Sequence, residues 1–175
     1  MTTTLVLTLI GRDQPGLVRV VAAAIAEHGG NWLESRLCRL GGEFAGIVRL
    51  EVETTRADTL TQALRGLAGL RVDVTREGSA PLPTAGAPAQ LAALDLVGSD
   101  RPGILREVSA VLANHGLNVE DLSSERVEAP MGGGKLFQLR AVVSVPPSSV
   151  LAAVQADLEK LAADLMVELK LDRVK

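Results

Sequence analysis

The chain is written twice. Residues 9–31, LIGRDQPGLVRVVAAAIAEHGGN, align without gaps on residues 96–118, LVGSDRPGILREVSAVLANHGLN, and twelve of the 23 positions are identical. The register sets Gly11 on Gly98, Asp13 on Asp100, Pro15-Gly16 on Pro102-Gly103, Arg19 on Arg106, His28-Gly29 on His115-Gly116 and Asn31 on Asn118. An offset of 87 residues makes each copy a small domain rather than one rung of a solenoid. The expected division is domain one over 1–77, a linker over 78–90 and domain two over 91–175. That linker, GSAPLPTAGAPAQ, has no charge and holds three of the eight prolines, a semi-extended composition that resists helices and central strands.

Within each copy the apolar period alternates between that of a strand and that of a helix. Leu5, Leu7 and Leu9 alternate with Val6, Thr8 and Ile10, after which Leu17, Val21, Ala24, Ile25 and His28 share one helical face. Ile104, Val108, Val111, Leu112 and His115 repeat that stripe, and Gly29 and Gly116 follow as helix stops. A hairpin comes next, turning at Gly41-Gly42 in copy one and over the longer Ala129-Pro130-Met131-Gly132-Gly133-Gly134 in copy two. Its second arm alternates cleanly, with Val48, Leu50 and Val52 in one copy and Phe137, Leu139, Ala141 and Val143 in the other. Second helices are predicted over residues ~57–68 and ~147–163, with closing strands on Leu70, Val72, Val74 and on Leu165, Val167, Leu169, Leu171. Strand two, Asn31 to Leu37, alternates poorly, which predicts a bulge.

The order βαββαβ gives an α+β fold, ferredoxin-like. Each copy is a four-stranded antiparallel sheet with both helices on one face. A unit of this size buries only about 60% of its unfolded surface, so two copies on one linker predict a packed tandem and a homodimer of tandems.

Composition then removes several functions. Aromatic residues are 2% of the chain, with one Trp, two Phe and no Tyr, so a surface that stacks bases on rings is excluded. A net charge of −3 speaks equally against a phosphate-binding face, and no nucleic-acid contact is expected. Nine acidic and nine basic residues balance over 1–77, whereas twelve face nine over 91–175, so the deficit belongs to copy two. The single cysteine, Cys38, excludes an internal disulfide and suits a reducing compartment. No secretion signal or apolar run of membrane length is present, and a cytoplasmic protein is expected.

Chemistry concentrates at the turn from the first strand into the first helix, Gly11-Arg12-Asp13-Gln14-Pro15-Gly16 and Gly98-Ser99-Asp100-Arg101-Pro102-Gly103. Proline pre-sets the first helical turn, glycine admits a close approach, and the first helical N–H groups point outward, ready for a carboxylate. Two readings stand side by side. Asp13 and Asp100 either cap their own helices, or join Asn31 and Asn118, expected beside the turn, in holding a small zwitterion by its ammonium and carboxylate. His28 and His115 read as helix C-terminal residues stabilised by the dipole. Gly132-Gly133-Gly134-Lys135 lacks the Ser or Thr and the following helix of a phosphate loop. No catalytic triad, metal-ligand spacing or dinucleotide fingerprint is found, so neither a catalytic residue, a metal nor a cofactor is expected.

Asp-x-Pro-Gly between strand and helix, followed by His-Gly-x-Asn, resembles the ACT domain, a regulatory amino-acid-binding module of βαββαβ fold, in both copies. The Gly11–Gly16 turn, the segment Asn31–Phe44 and an asymmetric second copy are similar to the glycine cleavage system transcriptional repressor family. That resemblance implies a tandem protein without a DNA-binding domain that engages a transcriptional activator, or another regulatory protein, in a glycine-dependent way. ACT ligands lie at domain interfaces, which implies ligand contacts from Asp13, Gln14, Gly16 and Asn31 in copy one and from Asp100, Arg101, Gly103 and Asn118 in copy two. Many amino-acid-binding ACT turns carry Asn where this chain has Asp13 and Asp100. The alternatives are a ligand-independent protein–protein adaptor and an enzyme on the same scaffold, such as an acylphosphatase. The latter would need an anion-gripping Arg loop where this turn carries an acid.

Overall fold

A computed structural model describes residues 1–78, 90–130, 133–147, 149 and 151–173. The chain divides into two compact units, Met1–Pro83 and Thr84–Lys175. Most of the predicted linker lies outside the described residues, and Gln90, expected at its end, already pairs with Val145 as the first residue of a strand.

Unit 1 runs β1 (Thr2–Arg12), α1 (Leu17–Glu27), β2 (Asn31–Leu40), β3 (Glu43–Glu53), a 3₁₀ turn (Thr54–Arg56), α2 (Ala57–Arg65) and β4 (Arg71–Arg76). Its sheet has the order β2-β3-β1-β4, every pair antiparallel. Because side chains alternate across a strand, Leu5, Leu7 and Leu9 of β1 and Val48, Leu50 and Val52 of β3 all face the helices. They meet Leu17, Val21, Ala24 and Ile25 of α1 and Ala57, Leu60 and Leu64 of α2 in one core. The apolar stripe read from the sequence is thus the buried face of α1; His28 caps its C-terminus, half-buried, with Nδ1–H donating to the Ala24 carbonyl at 2.8 Å. Gly29 follows with φ 72°, a left-handed value that ends the helix as glycine allows.

Unit 2 repeats the plan with β5 (Gln90–Ser99), α3 (Ile104–Asn114), β6 (Asn118–Glu128), β7 (Lys135–Val145), α4 (Leu151–Leu165) and β8 (Val167–Arg173). Its sheet has the order β6-β7-β5-β8, again antiparallel. Leu94, Leu96, Ile104, Val108, Leu112, Leu139, Val143, Val154 and Leu158 form the matching core. Leu165, expected in the closing strand, instead ends α4, and Met166 turns the chain with a φ of 54°.

The irregular second strand has a common cause in both units. The pairing register shifts between Trp32 and Glu34 in β2, and between Val119 and Asp121 in β6, so each strand carries one extra residue at the same place. Those extra residues are Leu33 and Glu120. The bulge breaks the period of two, which is why the alternation fails there and resumes beyond it.

Candidate functional site

The turn after β1 is built by four short-range constraints. Gly11 ends the strand against the backbone of Gly69, where any Cβ would collide with the Gly69 carbonyl oxygen. The Asp13 N–H then donates to the Gly42 carbonyl at 2.9 Å, tying the turn to the hairpin tip. Gly16 takes φ 96° at the helix N-cap, and its carbonyl accepts the Val20 N–H at 3.0 Å to start α1. Gln14 is exposed, with its amide close over Gly69. Unit 2 repeats the construction: Asp100 N–H donates to Lys135 at 2.9 Å, and Gly103 sits at φ 100° with its carbonyl accepting Glu107 N–H at 3.0 Å.

Neither aspartate caps its helix. Both N-caps are glycines, and neither helix start receives a side-chain cap hydrogen bond. The acids turn the other way. Asp13 Oδ2 lies 2.6 Å from Arg39 Nε, and Asp100 Oδ2 lies 3.5 Å from Arg126 Nη1. Arg39 opposes Phe44 across β2 and β3, and Arg126 opposes Phe137 across β6 and β7, so both arginines stand on the helix side of the sheet near the hairpin. These two arginines were not among the sequence candidates. The ungapped register that aligns Asn31 on Asn118 also aligns Arg39 on Arg126, and following it eight residues further would have found them.

The asparagines are not beside the turn of their own unit, which corrects the sequence expectation. Asn31 opposes Glu51, whereas the turn leaves the sheet next to the pair Arg12 and Glu43. Eight residues of β3 separate those levels, on the order of 25 Å at ~3.3 Å per residue. The physical reason is direction: α1 carries the chain back to the level at which β1 began, so β2 starts at the far end. Asn118 likewise opposes Ser144, far from the Asp100 turn.

The two asparagines also differ in their bonding. The Asn118 amide donates to Glu120 Oε1 at 2.9 Å and the Ser144 hydroxyl donates to the same oxygen at 2.6 Å. Those donors, the hydroxyl first, hold the Glu120 carboxyl below its usual range, against a small opposing effect of burial. Asn31 makes no side-chain hydrogen bond among the described residues, and its neighbour at the bulge is Leu33. The turn itself differs in the same sense. Glu107 stands in the first turn of α3, its carboxylate 3.9 Å from Arg101 and 3.7 Å from Arg106, and close over Gly103. The matching residue of α1 is Val20.

Among the described residues no group of three His, Cys, Asp or Glu could hold a metal ion, and no helix is long and apolar enough to cross a membrane.

Two βαββαβ units, each with an Asp-x-Pro-Gly turn opening a glycine-capped helix, define a class of protein. Residues 3–78 and again residues 93–163 match the ACT domain, and the chain belongs to the ACT-domain family as a tandem of two. As a whole chain it is similar to the glycine cleavage system transcriptional repressor of Escherichia coli, 26% identical over 164 residues that cover 92% of this chain and 85% of the relative. It also superposes on an unknown protein from Galdieria sulphuraria, with a TM-score of 0.89 and 27% identity over 100% of both chains. A solved structure described as a candidate glycine cleavage system transcriptional repressor has the same fold, with a TM-score of 0.71 and 21% identity over 100% of this chain and 99% of its own.

Proposed function

We propose that this protein is a non-catalytic regulator that takes a small amino acid, glycine by preference, at its ACT turns and thereby alters its grip on a regulatory protein partner, a transcriptional activator being the expected kind. The observation that carries the reading is the turn itself. An acid held off the helix by an arginine stands beside helical N–H groups that no side chain caps, and this arrangement is built twice. An ammonium suits the Asp, and a carboxylate suits the exposed N–H groups and the arginine donors. Small ligands suit the site because Gly16 and Gly103 leave it without a Cβ.

Asp13, Gln14 and Gly16, with Asp100, Arg101 and Gly103, form the proposed contacts. Asn31 and Asn118 stand too far from the turn of their own unit to share one small ligand with it. Ligand binding that favours one arrangement of the units would change partner affinity by the same coupling energy with which the partner changes ligand affinity.

Isothermal titration of the full chain with glycine, serine and the branched-chain amino acids tests this. Saturable heat with glycine, weakened in Asp13→Ala and in Asp100→Ala, is expected. No heat with any of the twenty amino acids would overturn the reading.

A further inference from the structure

Helix α1 is apolar on its outer side as well as on its buried one. Val18 is 46% exposed and Val20 39% exposed, and Ala22, Ala23 and Ala26 are exposed with them. Only Arg19 and Glu27 interrupt that surface with charge. A surface helix turns polar residues to water, and one that is apolar all round is built to be covered. A groove of about 230 Å³ runs along the same side, between the α1 residues Arg19, Val20, Ala23 and Glu27 and Leu67 of the loop after α2. The chain carries its own contrast in α3. Where α1 has Val20, Ala22 and Glu27, α3 has Glu107, Ser109 and Asn114, so its outer side is polar and does not repeat the pattern.

The two charges say what would cover it. Arg19 stands four residues before Ala23 and Glu27 four residues after it, all three on one row of the helix. Neither charge forms an ion pair among the described residues, and at ~12 Å apart along the axis they do not reach each other. Their order also opposes the helix dipole, which favours acids at the N-terminal end and bases at the C-terminal end, so the helix by itself does not account for them. A two-fold axis through Ala23, setting α1 antiparallel on a second α1, brings each Arg19 to the Glu27 of the other copy. Alanines at 22, 23 and 26 let the two axes approach to about 8 Å, with Val18 and Val20 flanking the crossing.

We infer that the outer face of α1 is a self-association surface, on which a second copy of this chain lays its own α1 antiparallel, crossing at Ala23 and closed by two reciprocal Arg19–Glu27 ion pairs. None of these side chains belongs to the proposed ligand contacts, so the inference stands apart from amino-acid binding. Charge complementarity selects the second copy as occupant. One cation and one anion placed evenly about Ala23 make a surface that matches itself, whereas a surface for an acidic or a basic partner would carry one sign. A helix of eleven residues is ~16 Å long, so this patch belongs at the small end of specific interfaces, and the dimer exchanges with monomer on dilution.

Sedimentation velocity of the full chain over a dilution series tests this, and a reversible monomer–dimer equilibrium is expected. Arg19→Glu alone and Glu27→Arg alone each turn two attractive pairs into two repulsive ones, and each is expected to weaken dimerisation by about tenfold or more. Both substitutions put the charge that the dipole favours at its end of the helix, so α1 is expected to keep its helicity by circular dichroism. Mixing the two single variants is expected to restore the dimer, because one chain then offers two acids along the row and the other two cations. The double variant, Arg19→Glu with Glu27→Arg, restores it in a single chain. Arg106→Glu, at the matching position of α3, is expected to leave dimerisation within about twofold. A chain that stays monomeric at millimolar concentration, a dimer indifferent to the single reversals, or single variants that remain monomeric when mixed would each overturn the inference.

Discussion

Gly11 and Gly98 stand at the same point of their units, at the end of the first strand, and both are hemmed in, yet by different neighbours. A Cβ on Gly11 would strike the backbone carbonyl of Gly69, whereas one on Gly98 would strike the side chain of Val167. Gly69 in turn has φ 79° and lies under the Gln14 amide, so unit 1 closes its turn by backbone against backbone. Unit 2 reaches the same strand-to-helix geometry through a side chain at the start of β8. The comparison teaches that the position demands a residue without a Cβ in both copies, while the freedom to relieve the demand differs.

The largest effect should separate the two. Gly11→Ala forces a carbonyl aside and is expected to destabilise unit 1 by about 3 kcal/mol or more, as overpacking against an unyielding neighbour does. Trp32 is the only tryptophan of the chain and packs against the unit 1 core, so its fluorescence during urea unfolding reads that unit selectively. Gly98→Ala should leave the Trp32 transition in place and lower the transition seen only by circular dichroism. Combining it with Val167→Gly should restore part of the loss, because the two nearest obstructing atoms belong to the Val167 side chain, while its Cα at 2.9 Å stays. No second substitution at Gly69 can do the same for Gly11→Ala, and a rescue there would break the contrast.

The hairpins give a smaller difference. In unit 1 the turn is two glycines with φ 60° and 85°, the paired left-handed values of a tight two-residue turn. Gly42→Ala is therefore expected to cost about 1–2 kcal/mol. In unit 2 the loop is longer, and it closes through the Ala129 N–H donating to the Gly134 carbonyl at 2.8 Å. Met131 and Gly132 of the expected turn lie outside the described residues. A Cβ on Gly133 would rest in ordinary contact with Ala129 at 3.5 Å. Gly133→Ala is expected to change stability by less than about 0.5 kcal/mol, and a loss as large as that of Gly42→Ala would show that loop length gives no tolerance.

These elements were legible in the sequence to different degrees, for physical reasons. Strands β1 and β3 and helix α1 were plain because one face of each is buried, and burial writes its period into the residues: Leu5, Leu7, Leu9 and Leu17, Val21, Ile25. The Asp-x-Pro-Gly turn was plain because a left-handed N-cap requires glycine. Strand β2 was faint because it lies at the sheet edge, with most residues exposed and a bulge that resets the alternation. The Arg39 partner of Asp13 escaped because it follows the bulge, where the two copies cease to look alike although their register holds. The place of Asn31 is not legible because adjacency in the chain is not adjacency in the sheet, and only the antiparallel pairing of Asn31 with Glu51 shows which end it occupies.

The smallest expected effect compares two carboxyls held low by different means. In unit 1, Arg49 donates to Glu77 through Nε at 3.2 and 3.1 Å and through Nη2 at 2.9 Å, and these hydrogen bonds hold the Glu77 carboxyl below its ordinary value of 4.5. In unit 2 the Ser144 hydroxyl and then the Asn118 amide do the same for Glu120, with no cation involved. A carboxyl lowered in the folded state stabilises that state above its unfolded value, and the contribution is lost as pH falls through the lowered value. Both therefore weaken the fold only in acid. At 1 M salt the Debye length is ~3 Å, so the charged pair of Glu77 is screened and the neutral donors of Glu120 are not. Titration of the side-chain carboxyl carbons by NMR should show Glu77 moving up toward 4.5 on addition of salt while Glu120 holds still. Ser144→Ala should then raise Glu120 alone. If salt moved both carboxyls equally, Glu120 would be answering to a cation rather than to its two neutral donors.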